Sequence, residues 1–107
     1  MAFYLKNKNK IETIFEKGFI IKVDDLLFKG YDFKDDEIKY GVSVSKKLFP
    51  LAVDRNLIKR RVKEQAKSVK LPEFIAKGVS FFLIYTSKQI LNSNEIKRSI
   101  EGLSQKV

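Results

Sequence analysis

With 107 residues, 44% hydrophobic content and thirteen Phe or Tyr side chains, the chain can bury one modest core, and we expect a single domain over residues 1–107. It has no Cys and no His, which excludes disulfides, thiolate or imidazole metal ligands and the commonest general base. The formal net charge of +9 indicates an acidic partner, more often nucleic acid than membrane.

The first ten residues hold no apolar run that could form the core of a signal peptide. The longest apolar run, Val79–Tyr85, is too short to cross a bilayer. We therefore expect a cytoplasmic protein without a membrane partner.

A short helix is predicted over residues 7–17, and Asn7 or Asn9 could cap its start. Its apolar residues stand at i, i+3 and i+4, which favours packing in the core: Ile11, Ile14 and Phe15. Gly18 follows at the position just past a helix end, where a positive φ is common.

Three strands are predicted to follow this helix: Phe19–Val23, Leu26–Phe33 and Ile38–Ser45. Asp24-Asp25 connects the first two tightly, and the polar turn Lys34–Glu37 precedes the third. In the third strand, apolar residues alternate with the small residues Gly41, Ser43 and Ser45. Small residues along one face either admit a ligand or let a helix pack closely.

A strongly basic helix is predicted over Leu51–Val69. The stretch 44–70 holds nine Lys or Arg and two acids, and so carries seven of the nine net positive charges. On a helical wheel the apolar residues form a narrow stripe: Leu51, Ile58, Val62, Ala66 and Val69. Cations follow along its edge, with Asn56 and Arg60 just beyond: Arg55, Lys59, Lys63, Lys67 and Lys70. Leu71-Pro72 closes the helix, because the residue before a proline avoids helical backbone.

A strand buried on both faces is predicted over Val79–Thr86. A final helix begins near Ser93, with Asn92 and Glu95 at the spacing of a capping box. Its buried stripe consists of three residues: Ile96, Ile100 and Leu103. The predicted order is therefore α-β-β-β-α-β-α, without an internal repeat or a second domain.

Neither a catalytic site nor a metal site is expected in the protein itself. The acids gather in the turns Asp24-Asp25 and Asp35–Glu37, where carboxylates are usually solvated, and no phosphate-binding GxxxxGK[ST] loop is present. Only Asp54 and Glu64 accompany the seven cations between Arg55 and Lys70, which favours binding of a polyanion over an ordinary solvated face. Asn56 adds a donor and an acceptor that could contact a base edge or a 2′-hydroxyl.

Two adjoining segments carry the signature of a family. The segments are GVSVSKK and LAVDRNLIKRRVKE, and they resemble the strand end and helix motif (Ala-Val-x-Arg-Asn-Arg-x-Lys-Arg) of bacterial ribonuclease P protein subunits. The matched positions are Lys46, Lys47, Ala52, Val53, Arg55, Asn56, Lys59, Arg60, Lys63 and Glu64. Further resemblance to the family's opening, last strand and last helix comes from Leu5-Lys6, Ile11, Phe15, Gly18, Val79–Tyr85 and Asn94–Ile96.

The chain also departs from that family's pattern. Leu57 stands where the motif has its second Arg, so one cationic RNA contact is lost or moved, with Arg61 as its candidate replacement. Phe49-Pro50 lengthens the junction before the helix by one residue. Ile11 and Lys29 stand where the family often has aromatic residues, which weakens a stacking contribution.

The resemblance implies an α+β domain of the small ribosomal-protein-like kind, with a four-stranded sheet. It also implies a left-handed strand–helix–strand crossover, although such connections are nearly always right-handed. The implied partners are ribonuclease P RNA and the 5′ leader of precursor tRNA. In this family the RNA, with its Mg²⁺ ions, removes the leader, and the protein contributes no catalytic residue, metal ligand or tightly bound cofactor.

The RNA-binding residues that the resemblance implies are Lys46, Lys47, Arg55, Asn56, Lys59, Arg60 and Lys63. A cleft for the leader would have Ser43, Ser45 and Lys29 as its floor, with Ile11 and Phe15 on its wall. Phe15 is either a cleft aromatic or a plain core residue. The alternative function is a non-catalytic RNA-binding module, such as a ribosome-associated protein on the same fold. A peripheral membrane role is disfavoured, because the apolar stripe of the basic helix has no Phe or Trp.

Overall fold

The computed structural model describes Leu5 and residues 7–107, so that Lys6 of the family's opening pattern lies outside the described residues. The elements follow the predicted order: α1 (Lys8–Lys17), β1 (Phe19–Val23), β2 (Leu26–Asp32), β3 (Tyr40–Val44), α2 (Ala52–Val69), β4 (Val79–Tyr85) and α3 (Ser93–Lys106). A short 3₁₀ helix, Leu71–Phe74, follows α2.

The described strands form one four-stranded sheet in the order β1-β2-β4-β3. β2 is antiparallel to both β1 and β4, whereas β3 runs parallel to β4 and is connected to it through α2. The register places Phe82 of β4 between Lys29 of β2 and Gly41 of β3. The α+β class with a mixed four-stranded sheet is thereby confirmed, and the left hand of the crossover stays a prediction.

One face of the sheet builds the core with α2 and α3. Phe81 is fully buried at its centre, and its ring stacks on those of Phe28 and Tyr40 with centroid separations of 4.6 and 5.1 Å. Burial of a side chain of this size stabilises the fold by about 1.5–3 kcal/mol. The predicted helical stripes meet this face: Ile58, Val62 and Ala66 of α2, and Ile96, Ile100 and Leu103 of α3. α1 lies on the opposite face, where Ile14 is fully buried.

Asparagine side chains cap the two shorter helices. The Asn7 Oδ1 atom accepts hydrogen bonds from the backbone N–H groups of Asn9 and Lys10, so Asn7 rather than Asn9 is the cap of α1. The Asn92 Oδ1 atom accepts from the N–H of Glu95 at 2.9 Å, as the capping-box spacing predicts. Each bond satisfies an N–H that the helix itself leaves unpaired.

Gly18 has a φ of −64°, so the predicted positive φ is wrong. Glycine is required here because the backbone at this position lies close to the carbonyl groups of Ile14 and Gly30. A Cβ atom at this position would lie 2.4 Å from the carbonyl oxygen of Ile14 and 2.9 Å from that of Gly30. Gly18 therefore lets the end of α1 pass close to β2.

Two further predictions about burial are wrong. Leu51 is 62% exposed, because it is the N-cap residue of α2 and has extended backbone, so the helical spacing of the apolar stripe does not apply to it. β4 is not buried on both faces, since α1 leaves Phe82 and Ile84 half-exposed. β3 is also shorter than predicted, because Ser45 belongs to the turn that follows it.

None of the helices within the described residues is both long enough and apolar enough to cross a membrane.

Candidate nucleic-acid interface

A groove of about 430 Å³ lies between α1 and α2, over the edge strand β3. It is lined by Leu5, Ile11, Tyr40, Gly41, Val42, Lys59, Lys63 and Phe82. The α2 wall is cationic, the α1 wall is apolar, and the ring of Phe82 supplies an aromatic surface. Single-stranded nucleic acid is bound by this combination of charge for the backbone and apolar or aromatic surface for the bases.

The position of Lys59 and Lys63 follows from the helical period of α2. Ile58 and Val62 are buried against the sheet, and the next residue along the chain is rotated by about 100° from each. Lys59 and Lys63 are therefore half-exposed and reach the groove. Asn56 and Arg60 lie farther round the helix and are exposed on its outer surface.

Ser45 shapes the turn between β3 and α2 and does not line the groove. Its Oγ atom accepts hydrogen bonds from the backbone N–H groups of Lys47 and Leu48, at 3.2 and 3.3 Å. The side chains of Lys46 and Lys47 are exposed on this turn. Ser45 thus holds the corner that presents the two lysines.

Arg55 braces the same corner from the helix. Its Nη1 atom donates hydrogen bonds to the carbonyl oxygens of Phe49 and Pro50, both at 2.8 Å. These bonds link the first turn of α2 to the segment before it. The guanidinium group is half-exposed and has further donors that these two bonds do not use.

Leu57 and Arg61 lie on the other flank of α2, about 160° round the helix from Lys59. The Arg61 Nη1 atom donates a hydrogen bond to the carbonyl oxygen of Leu91 at 2.8 Å, which fixes α2 to the loop before α3. The departure from the family motif at Leu57 therefore alters the flank that faces α3. Arg61, the candidate replacement for the lost cation, is held on that same flank and does not line the groove.

Phe15 lies beside the groove floor and is 39% exposed, so the alternative of a plain core residue is wrong. Its ring centroid is 5.0 Å from that of Phe82, with 40° between the ring planes. Lys29 holds Phe15 from the other side, because its Nζ atom donates to the Phe15 carbonyl oxygen and lies 5.5 Å from the ring centroid.

The predicted floor of Ser43, Ser45 and Lys29 is replaced in the structure by Gly41 and Phe82. Ser43 is half-buried on the same face of β3, but the groove is lined one pair of residues earlier along the strand. Sequence reasoning missed Phe82 because Val79–Thr86 reads as a uniformly apolar run. Alternation of side chains along the strand would have placed Phe82 on the face of the sheet opposite to Phe81. It would not have placed Phe82 beside Gly41, because that depends on how β3 and β4 pair.

An ion pair fixes α1 to the polar turn that precedes β3. The Lys10 Nζ atom lies 2.6 Å from Asp35 and 3.6 Å from Glu37, and 5.0 Å from the ring centroid of Phe33. The hydrogen bond between Lys10 and Asp35 raises the pKa of Lys10 above its ordinary 10.5 and lowers the pKa of Asp35 below its ordinary 3.8. Across the part of the chain that the structure describes, no three acidic side chains are grouped so that they could hold a metal ion.

Comparison with known proteins decides the family. The family model described as Ribonuclease P matches residues 2–107, nearly the whole chain. The chain belongs to the ribonuclease P protein family. The resemblance seen in the strand-end lysines and the α2 motif is thereby confirmed.

Individual ribonuclease P proteins resemble the chain over different lengths. The ribonuclease P protein component of Staphylococcus haemolyticus is 31% identical over 100 residues, which cover 94% of this chain and 85% of that protein. That of Legionella pneumophila (strain Corby) is 35% identical over 68 residues, a match that spans only 60% of its own length. The structure of the Staphylococcus aureus RNase P protein superposes with a TM-score of 0.79 at 27% identity, covering 98% of this chain and 94% of that one.

Proposed function

We propose that this chain is the protein subunit of ribonuclease P and assists endonucleolytic removal of the 5′ leader from precursor tRNA. The observation that carries the proposal is the groove, in a chain of the ribonuclease P protein family. Lys59 and Lys63 can neutralise the phosphates of a single strand, and Ile11 and Phe82 offer apolar surface to its bases. Such a site depends little on base-edge hydrogen bonds and tolerates varied leader sequences.

The outer surface of α2 and the preceding turn are assigned to the catalytic RNA. Exposed residues there are Lys46, Lys47, Asn56 and Arg60. Each phosphate that a cation neutralises releases counterions. These side chains therefore bind the RNA mainly through the charge of its backbone, and less through its sequence. Arg55 lies at the junction between this surface and the groove.

In this proposal the RNA carries out the hydrolysis and binds the Mg²⁺ ions that it needs. The protein contributes no catalytic residue and no tightly bound cofactor. Its part is to hold the substrate, so its loss is expected to weaken binding of precursor tRNA most strongly where Mg²⁺ is scarce.

The test is reconstitution of the chain with a bacterial ribonuclease P RNA at low Mg²⁺, followed by measurement of leader release from precursor tRNA. We expect the protein to stimulate cleavage and to tighten binding of precursor tRNA relative to mature tRNA. Absence of any stimulation would overturn the proposal. Tight RNA binding without stimulation would instead support a non-catalytic RNA-binding module.

A further inference from the structure

Phe82 lies where three elements of the candidate site meet. It is the cross-strand neighbour of Lys29 on β2, at which position the family resemblance places an aromatic residue. On its other side it neighbours Gly41 of β3. The ring is half-exposed and lines the groove together with Lys59.

The ring of Phe82 occupies the space that a side chain at position 41 would fill. A Cβ atom built on Gly41 would lie 2.4 Å from Cε1 of Phe82 and 3.0 Å from its Cζ atom. Real Cβ atoms do not approach so closely, so the ring can hold this orientation only beside a glycine. Gly41 therefore keeps an aromatic surface in the groove.

The position of the ring is also fixed from the α1 side. Phe15 contacts it at 5.0 Å between centroids, and Lys29 holds Phe15 through its carbonyl oxygen. The side chain of Lys29 is hydrogen-bonded to α1 and has no ring, so β2 contributes no stacking surface at this position. The aromatic surface of the groove is therefore supplied by β4.

We propose that Phe82, positioned by Gly41, stacks on one base of the single-stranded leader and is a specificity-determining residue of the groove. The inference rests on the proposed function, because it names the residue that receives a base in that same site. Every base has a π-face, so stacking here selects for the presence of a leader and not for its sequence. Lys59 also lines the groove, and its charge can neutralise the phosphate next to the stacked nucleotide.

The experiment uses holoenzyme reconstituted with a bacterial ribonuclease P RNA, and precursor tRNAs in which single leader nucleotides are abasic. In the wild type, one abasic position is expected to weaken binding by about 5- to 150-fold, the range for loss of one stacked base. Phe82→Val is expected to weaken binding of the intact precursor by a similar factor, and the abasic position then to cause no further loss. Phe82→Tyr should retain most of the affinity, and mature tRNA should bind equally to all variants.

Gly41→Ala provides a second route to the same result, because its methyl group must displace the ring. We expect it to weaken precursor binding, and the double variant Gly41→Ala/Phe82→Val to bind no more weakly than Phe82→Val alone. Phe74→Val is the matched control, since Phe74 is 51% exposed and does not line the groove. It should leave precursor binding unchanged.

The outcomes separate the inference from the proposed function. If the wild type distinguishes precursor from mature tRNA and Phe82→Val does so equally well, the stacking role is wrong and the proposed function stands. If Phe82→Val weakens binding of both tRNAs together and lowers the melting temperature, the residue is structural and the inference is overturned. If the wild-type protein itself neither stimulates cleavage nor distinguishes the two tRNAs, the proposed function fails.

Discussion

Neighbouring residues of α2 have different roles because the helical period rotates each one to a different side. Ile58 is fully buried, while Lys59 lines the groove and Arg60 is exposed on the outer surface. The apolar stripe made this division predictable from the sequence. The contacts of Arg55 were not predictable, because they depend on how Phe49 and Pro50 place their carbonyl groups in an irregular junction.

Lys59→Ala should weaken RNA binding and reduce its dependence on salt. Loss of one phosphate contact lowers the slope of log K against log[salt] by about 0.7 to 0.9. The slope can be measured by titrating RNA at several salt concentrations. Lys22→Ala is the matched control, because Lys22 is exposed on β1 at the opposite edge of the sheet. Equal slopes for both variants would contradict a phosphate contact at Lys59.

Arg55→Ala should lower the free energy of unfolding by about 1–3 kcal/mol, because hydrogen bonds from a charged donor to two carbonyl groups are lost. Urea denaturation measures this change. Arg55→Lys keeps the charge but not the planar two-carbonyl contact, so it should lose stability while retaining the salt slope of RNA binding. If Arg55→Lys is as stable as the wild type, the corner is not held by this contact.

At the scale of the elements, the starts of α1 and α3 were the most predictable features, because an Asn side chain caps each of them locally. Prediction was less accurate for two residues that flank a helix, Leu51 before α2 and Gly18 after α1. Leu51 fits the apolar stripe of α2 by spacing alone, yet it precedes the helix with extended backbone and is exposed. Gly18 follows a helix as a positive-φ glycine would, yet it is needed for its contact with Gly30 across the sheet.

Asn92→Ala should destabilise the protein by about 1 kcal/mol, since the N–H of Glu95 loses its acceptor at the start of α3. Asn94→Ala provides the control, because Asn94 is exposed inside the first turn and alanine favours the helix there. Chemical denaturation of both variants gives the comparison. Similar losses for the two substitutions would mean that the capping bond contributes little.

The Lys10–Asp35 pair should make the attachment of α1 depend on pH. The pKa of Asp35 is lower in the folded chain than its ordinary 3.8, so its stabilising contribution is present above that value and is lost as pH falls through the folded pKa. The pKa of Lys10 is raised above 10.5, so its contribution is lost only in strong alkali.

Asp35→Asn should therefore be less stable than the wild type at neutral pH, and the difference should shrink below pH 3.8 as the wild-type carboxylate is protonated. Melting curves recorded across this acid range test the expectation. Asp36→Asn is the control, since Asp36 is exposed and makes no ion pair within the described residues. A difference that persists unchanged in acid would exclude the ion pair as its cause.

At the scale of the whole molecule, the sheet order could not be worked out from local patterns. β4 is the last strand along the chain but lies between β2 and β3 in the sheet. It therefore brings Phe82 beside Lys29 and Gly41, which are distant from it in sequence. The family resemblance supplied a cleft and the correct helix, and Ile11, Lys59 and Lys63 do meet in one groove. Ser43, Ser45 and Lys29 were expected at its floor but do not line this groove, because the residues that strands bring together depend on their long-range register.

The charge of the whole molecule should make its stability depend on ionic strength. The chain has a net charge of +9, and α2 holds six cations and only two acids, so repulsion between these cations opposes folding until salt or a polyanion screens it. We expect the melting temperature to rise between about 0.01 and about 0.15 M NaCl. Replacing Lys59, Arg60 and Lys67 by Gln should flatten that rise, and a rise of equal size in this variant would contradict the assignment to α2.

The contact between Gly41 and Phe82 limits how related chains can diverge. A ring at position 82 and a side chain at position 41 compete for one volume, so neither site can drift independently of the other. The ring is the movable end of its side chain, so a residue other than glycine at position 41 would turn it out of this orientation, and a chain keeps this aromatic surface only with glycine there. Relatives with a small aliphatic residue at position 82 are free of this constraint, and should accept alanine or valine at position 41.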